Sequence, residues 1–71
     1  MKYANGQNVR MHGPMLVQGP LGQASLGAEE SVPGRIAMAY TNCTYDVHTA
    51  EPVEGINYFA AVKEEQISPA Q

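Results

Sequence analysis

The sequence predicts an all-β fold of short strands. Apolar residues recur at every second position in several short segments after residue 34, which is the period of a strand with one buried face. Glycine, proline and other turn-forming residues separate these segments at hairpin distances. No longer segment carries the apolar spacing of an amphipathic helix. Together these observations favour a small β-meander over a helical or mixed fold.

The first strand is predicted at residues 7–11, after the turn signal Asn5-Gly6, with Val9 and Met11 on one side. The next segment, residues 12–33, is rich in glycine and proline. Its composition predicts a long loop or a ragged hairpin. Its only apolar cluster, residues 15–17, is interpreted as a short strand or as an anchor over the core.

Three further strands are predicted over residues 35–41, 45–48 and 56–62, each with an alternating apolar side. A short acidic segment at residues 63–66 suits one 3₁₀ turn, and Ile67 begins the last strand. Residues 68–71 are predicted to form a C-terminal tail. The residues predicted to face the core of the three strands are Ile36, Met38 and Tyr40; Tyr45 and Val47; and Ile56, Tyr58, Ala60 and Val62.

This half of the chain resembles small SH3-like β-barrel proteins. The resemblance covers residues 7–11 and 34–69, and its motifs are generic to that fold. It implies one SH3-like domain over residues 1–71: a five-stranded barrel with a long Gly/Pro-rich loop at 12–33 and a 3₁₀ turn before the last strand. The matching segments are Gly34-Arg35-Ile36, Tyr45-Asp46-Val47 and Val62-Lys63-Glu64-Glu65-Gln66-Ile67-Ser68-Pro69.

Composition narrows the function classes. Four basic residues against seven acidic ones give a net charge of -3, which disfavours nucleic acid as a partner. No apolar run has the length of a membrane span, and the amino terminus lacks the apolar segment of a signal peptide. The single cysteine, Cys43, excludes an internal disulfide and suits a reducing compartment. We therefore expect a cytoplasmic protein that does not act at a membrane.

The size of the chain favours self-association. Burial of apolar surface contributes about 100 kcal/mol for a chain of this mass. Ordering 71 residues costs about the same amount. Stability is therefore expected to be marginal, and with one cysteine the common remaining source of stability is a second copy of the chain.

The predicted contact surface centres on Phe59, which alternation places on the side opposite Ile56 and Tyr58. An outward phenylalanine beside two alanines would form a flat apolar patch. We expect this patch to contact another subunit, with a protein or peptide ligand as the next alternative. The candidate interface residues are Phe59, Ala37, Ala39, Ala61, Met15 and Leu16.

No residues are predicted to be catalytic, to bind a cofactor or to bind a metal. His12 and His48 are not at a metal-ligand spacing, and no base lies at a recognisable spacing from Cys43. The acidic pairs at 29–30, 51/54 and 64–65 do not follow the pattern of a calcium loop. The histidines and the acidic pairs are interpreted as ordinary solvated surface, and Cys43 as a small buried or turn residue.

The predicted function is a non-enzymatic binding or assembly module that acts as a small homo-oligomer, and its size and resemblance suggest a mobile-element or phage origin. One alternative is a pore-forming oligomeric reductase, because the fold is similar to that of the plasmid-borne type II dihydrofolate reductases. The resemblance implies that their Val-Gln-Ile-Tyr run, which binds folate and NADPH, falls at Ile56-Asn57-Tyr58-Phe59, where most of the motif is not retained. Another alternative is a nucleic-acid-binding SH3-like barrel.

Overall fold

A computed structural model of the chain describes residues 2–19 and 22–70. Within these residues the fold is all-β, as the sequence predicts, and it contains one 3₁₀ turn at Glu64–Gln66 where such a turn was expected. The strands are β1 (Asn8–His12), β2 (Met15–Gly19), β3 (Gly22–Leu26), β4 (Ser31–Ala39), β5 (Thr44–Val53), β6 (Ile56–Lys63) and β7 (Ile67–Pro69).

The strands form two antiparallel sheets. The larger sheet has the order β6-β5-β4-β1-β7 and is open, with β6 and β7 at its edges. Strand β1 pairs with β4 on one side and with β7 on the other. The smaller sheet is the hairpin β2-β3. Five strands were predicted, and the two additional strands both lie in the segment expected to be a long loop.

The hairpin alternative for residues 12–33 is therefore the one that the structure shows. Strands β2 and β3 pair from Met15 opposite Leu26 to Gly19 opposite Gly22, while residues 20 and 21 lie outside the described part of the chain. At the base of the hairpin, the N–H of Gly13 donates to the carbonyl of Glu30 at 3.0 Å. A Cβ added at Gly13 would lie 1.9 Å from the carbonyl oxygen of Gly27. Only glycine fits this close approach of two backbone segments.

The buried core lies between the large sheet and the hairpin. Its centre is formed by alternate residues of β1 and β5, because successive side chains of a strand point to opposite faces. Val9, Met11, Tyr45 and Val47 are fully buried, as the alternation predicted. The complete set of buried apolar residues is Tyr3, Val9, Met11, Ala24, Leu26, Ile36, Tyr45, Val47, Ile56, Phe59, Val62 and Ile67.

The inward orientation predicted for Met38 and Tyr40 is wrong. Ile36 pairs with Val47, but Met38, two residues further along β4, pairs with the adjacent Asp46. Ala37 is therefore an additional residue on β4, and such a bulge inverts the alternation that follows it. Met38 and Tyr40 face solvent, while Ala39 is half-buried against the core.

The orientations predicted for Tyr58, Ala60 and Phe59 on β6 are also wrong. Phe59 is 1% exposed and belongs to the core, whereas Tyr58 and Ala60 face solvent. Two irregularities displace the alternation. Four residues of β5, Thr49–Pro52, lie opposite the single residue Asn57. Further along, two residues of β6 lie opposite one of β5, and Ala61, the second of them, has a φ of 57°.

The remaining differences concern connections. The predicted tail begins later than expected, because Ser68 and Pro69 belong to β7 and pair with Arg10 and Val9; Gln71 lies outside the described residues. Strands β5 and β6 are joined by the two-residue turn Glu54-Gly55, both with positive φ, which suits a tight hairpin. Among residues 2–19 and 22–70 no helix has the length and apolar character that crossing a membrane requires.

Candidate functional site

The candidate site is the solvent side of strands β4, β5 and β6, which we call the outer face. The bulge at Ala37 turns Met38 and Tyr40 to this side, and the irregular pairing of β6 turns Tyr58 to it. These three residues are 43%, 41% and 49% exposed, and they are three of the four large apolar side chains exposed in the described part of the chain. The fourth, Leu16, is 65% exposed on the hairpin. The outer face is therefore the main concentration of exposed apolar surface.

Asp46 holds two of these side chains in place. Its Oδ2 accepts a hydrogen bond from the hydroxyl of Tyr40 at 2.7 Å and another from the hydroxyl of Tyr58 at 2.7 Å. Its Oδ1 accepts the backbone N–H of Ala61 at 3.2 Å. Asp46 is 6% exposed, so a buried charge is satisfied by three donors. The hydroxyl groups of Tyr40 and Tyr58 are thus held by the same carboxylate oxygen.

The pKa values of the cluster follow from these bonds. Burial of Asp46 acts to raise its pKa, but the hydrogen bonds from Tyr58, Tyr40 and Ala61 together outweigh burial and lower it. The same bonds to Asp46, and then loss of solvent, raise the pKa values of Tyr40 and Tyr58. At neutral pH the carboxylate is therefore charged and both phenols keep the proton that they donate.

A row of three polar and aromatic side chains crosses the outer face next to this cluster. Arg35 on β4 pairs with His48 on β5, and His48 pairs with Tyr58 on β6. All three are exposed, and the rings of His48 and Tyr58 lie 6.4 Å apart between centroids. The row borders an open cleft of about 600 Å³, whose other walls are Gly6, Ile36 and Ala37.

A second tyrosine–carboxylate contact joins the inner side of β5 to the 3₁₀ turn and has a structural role. The buried Tyr45 donates to Glu64 Oε2 at 2.5 Å, and its hydroxyl accepts the backbone N–H groups of Lys2 and Tyr3. The hydrogen bond from Tyr45, which outweighs loss of solvent, lowers the pKa of Glu64. These contacts attach the amino-terminal segment to the core rather than presenting groups to solvent.

The predicted interface residues do not lie on one common surface. Phe59, the centre of the predicted patch, is buried, so its outward orientation is corrected. Ala37 and Ala61 are exposed, and Ala39 is half-buried. Met15 packs half-buried against the core, and Leu16 is exposed on the separate hairpin. In the segment Ile56-Asn57-Tyr58-Phe59, where the reductase motif was expected to fall, the first and last residues are buried and the middle two are exposed.

The other candidate groups are dispersed. His12 is half-buried, with its Nε2 2.5 Å from the hydroxyl of Ser68, and Cys43 is exposed in the turn before β5. Glu30 accepts the N–H of Gly27, and Glu54 accepts that of Ser25. Among the described residues no three His, Cys, Asp or Glu side chains are arranged to hold a metal ion.

Sequence reasoning missed the roles of Tyr40, Asp46 and Tyr58 because it placed the two tyrosines inside. The available signal was the short turn at residues 40–43, which brings Tyr40 beside Asp46 once β4 and β5 are paired. Comparisons of the chain with models of protein families, with curated proteins and with solved structures found no significant match.

Proposed function

We propose that this chain is a small, non-enzymatic assembly module that forms a homo-oligomer through its outer face. The observation that supports the proposal is the exposure of Met38, Tyr40 and Tyr58 on one side of the sheet, with both tyrosine rings held by Asp46. Methionine and tyrosine are enriched at protein interfaces. A ring that is already fixed loses little conformational entropy when a partner covers it.

The proposal includes an SH3-like fold, with the large sheet open rather than closed into a barrel. Its support is the strand order β6-β5-β4-β1-β7, in which the first strand of the large sheet lies between the second and the last. The hairpin inserted after β1 and the 3₁₀ turn before β7 occupy the positions that the resemblance implies for the long loop and the turn. The candidate contact surface does not depend on the name of the fold.

A second copy is the partner that we favour because the centre of the outer face is apolar and poor in charge. The only carboxylate there, Asp46, is already satisfied by three donors within the described residues. A stable interface covers about 800 Å² on each partner, which is roughly a fifth of the 4505 Å² surface of this molecule. Burial of that area would add to the marginal stability of a chain of 71 residues.

Sedimentation velocity over a wide range of concentrations tests the proposal. We expect the sedimentation coefficient of the natural chain to rise with concentration. In Met38→Glu this rise should be lost, because a charge would be buried at the interface. The matched control is Gln23→Glu, which adds the same charge on the exposed side of β3 and should self-associate normally. Circular dichroism of each variant checks that it is folded.

Two results would overturn the proposal. A natural chain that stays monomeric at the highest attainable concentration would exclude self-association. Loss of self-association in Leu16→Glu, but not in Met38→Glu, would instead place the contact on the hairpin.

A further inference from the structure

We infer that the cleft beside Arg35, His48 and Tyr58 is a binding site for a small ligand in which a carboxylate is attached to a planar ring. This inference goes beyond the proposed function and does not depend on it, because one copy of the chain supplies every group of the cleft. The cleft is open to solvent, so a ligand there contacts the protein on one side only.

The position of Arg35 indicates the charge of the ligand. Arg35 lines the cleft and is exposed, and its side chain has no hydrogen bond or ion pair to another of the described residues. By contrast, Arg10, the other arginine, donates to the hydroxyl and the carbonyl of Ser31. An arginine fork with no internal partner matches the two oxygens of a carboxylate.

The balance of charge favours a monoanion over a phosphate dianion. Among the described residues, Arg35 is the only arginine or lysine that lines the cleft, and the chain as a whole carries a net charge of -3. One permanent positive charge can neutralise one carboxylate. A dianion would retain a negative charge that the acidic protein repels.

The other walls indicate the shape of the ligand. Ala37 supplies a small apolar wall, and the exposed His48 and Tyr58, whose ring centroids lie 6.4 Å apart, line the cleft beside it. The hydrogen bond from Tyr58 to Asp46 keeps its ring in position before a ligand arrives. A planar ring can contact these groups while its carboxylate reaches Arg35. Tyr58 therefore has a contact role, and Asp46 is a positioning residue.

Titration of the ¹⁵N-labelled chain with benzoate, followed by two-dimensional NMR, tests the inference. We expect saturable shifts at the amides of Arg35, Ala37, His48 and Tyr58. Benzoate should bind about tenfold more tightly than acetate, which lacks the ring, and than benzyl alcohol, which lacks the charge. Inorganic phosphate should bind more weakly than benzoate.

Substitutions separate the contributions of the residues. Arg35→Gln should weaken benzoate binding about tenfold. Arg35→Lys, which keeps the charge but loses the fork, should weaken it less. Lys63→Gln removes the same charge from the far end of β6 and should leave the affinity unchanged. Tyr58→Phe, which keeps the ring but releases it from Asp46, should weaken binding severalfold without unfolding the chain.

Equal affinity for benzoate and acetate, shifts scattered over the surface, or unchanged binding in Arg35→Gln would overturn the inference. Tighter, salt-dependent binding of a short oligothymidylate to the same amides would also overturn it, by assigning the row to nucleic acid. Tyr58 belongs to both surfaces, so a second copy and benzoate compete for it, and Met38→Glu should bind benzoate at least as tightly as the natural chain. Benzoate titration of this variant tests the ligand site, and sedimentation velocity of the natural chain tests self-association. Each proposal can therefore fail without the other.

Discussion

Strands β4, β5 and β6 have an inner face that packs in the core and an outer face that is exposed to solvent. Adjacent residues illustrate the contrast: Phe59 is buried in the core, while Tyr58 is half-exposed on the outer face. On β5, Tyr45 and Val47 fill the core, and Asp46 between them holds the two outer tyrosines. The inner face packs the core, whereas the outer face holds aromatic side chains at the surface.

The largest predicted effect contrasts the two aromatic neighbours on β6. Phe59→Ala should lower the free energy of unfolding by about 3–5 kcal/mol, because it leaves a cavity in the core. Tyr58→Ala removes an exposed ring and should change it far less, while weakening self-association. Urea denaturation measures both variants. Equal losses of stability would mean that the two faces are not distinct.

The next effect concerns Asp46, which binds the two exposed tyrosines of the outer face. Asp46→Ala leaves the N–H of Ala61 and both tyrosine hydroxyls without their acceptor and should cost about 1–3 kcal/mol. Asp46→Asn retains an acceptor and should cost less, which makes it the matched control. Urea denaturation gives the difference. A loss in Asp46→Ala no larger than in an exposed variant such as Gln23→Ala would contradict the role of this carboxylate.

A smaller effect should appear in acid. The pKa values of Asp46 and Glu64 are lower in the folded chain than in the unfolded chain. Their stabilising contribution is therefore present above the unfolded value of about 4 and is lost as the pH falls through the lower folded values. Urea midpoints measured from neutral pH into acid should decrease, and the decrease should be smaller in Asp46→Asn. An identical pH profile in the variant would contradict the prediction.

Alkaline titration should show the reverse sign. The pKa values of Tyr40, Tyr45 and Tyr58 are raised in the folded chain. Their contribution is present below the ordinary value of about 10 and is lost as the pH rises through the higher folded values. Ultraviolet absorbance of phenolate should therefore appear later in the folded protein than in urea. In Asp46→Asn, phenolate formation should shift towards lower pH.

The smallest expected change is that of Tyr40→Phe. This substitution keeps the ring and removes one of the three hydrogen bonds to Asp46. Stability should change by about 1 kcal/mol or less, but self-association should weaken severalfold because the ring is no longer fixed. Sedimentation velocity beside urea denaturation distinguishes the two effects. Unchanged self-association would show that fixing this ring is irrelevant to binding.

Strand positions could be predicted from the sequence more readily than orientations. The period of two located β1 and the strands after residue 34, and Val9, Met11 and Val47 face the core as predicted. The prediction was wrong beyond Ala37 and around Phe59, because one additional residue in a pairing exchanges the two faces. The alanine at position 37 carries no sequence signal of a bulge, so alternation alone could not predict that Tyr40 and Tyr58 face solvent.

The hairpin was only partly predictable for a related reason. Its glycines and prolines indicate turns and loops in isolation, yet β2 and β3 form because Ala24 and Leu26 are buried beneath the hairpin against the core. Such burial depends on residues distant in the sequence. The candidate site itself also depends on three strands meeting, which no single segment encodes.

The close approach of the Gly13 backbone to the carbonyl of Gly27 has an evolutionary consequence. Any larger side chain at position 13 would push the base of the hairpin away from the sheet and expose the apolar residues beneath it. Descendants of this chain that keep the hairpin should therefore retain glycine at position 13, even where the surrounding loop sequence drifts freely. A lineage that has lost this glycine should also have remodelled the whole segment between β1 and β4.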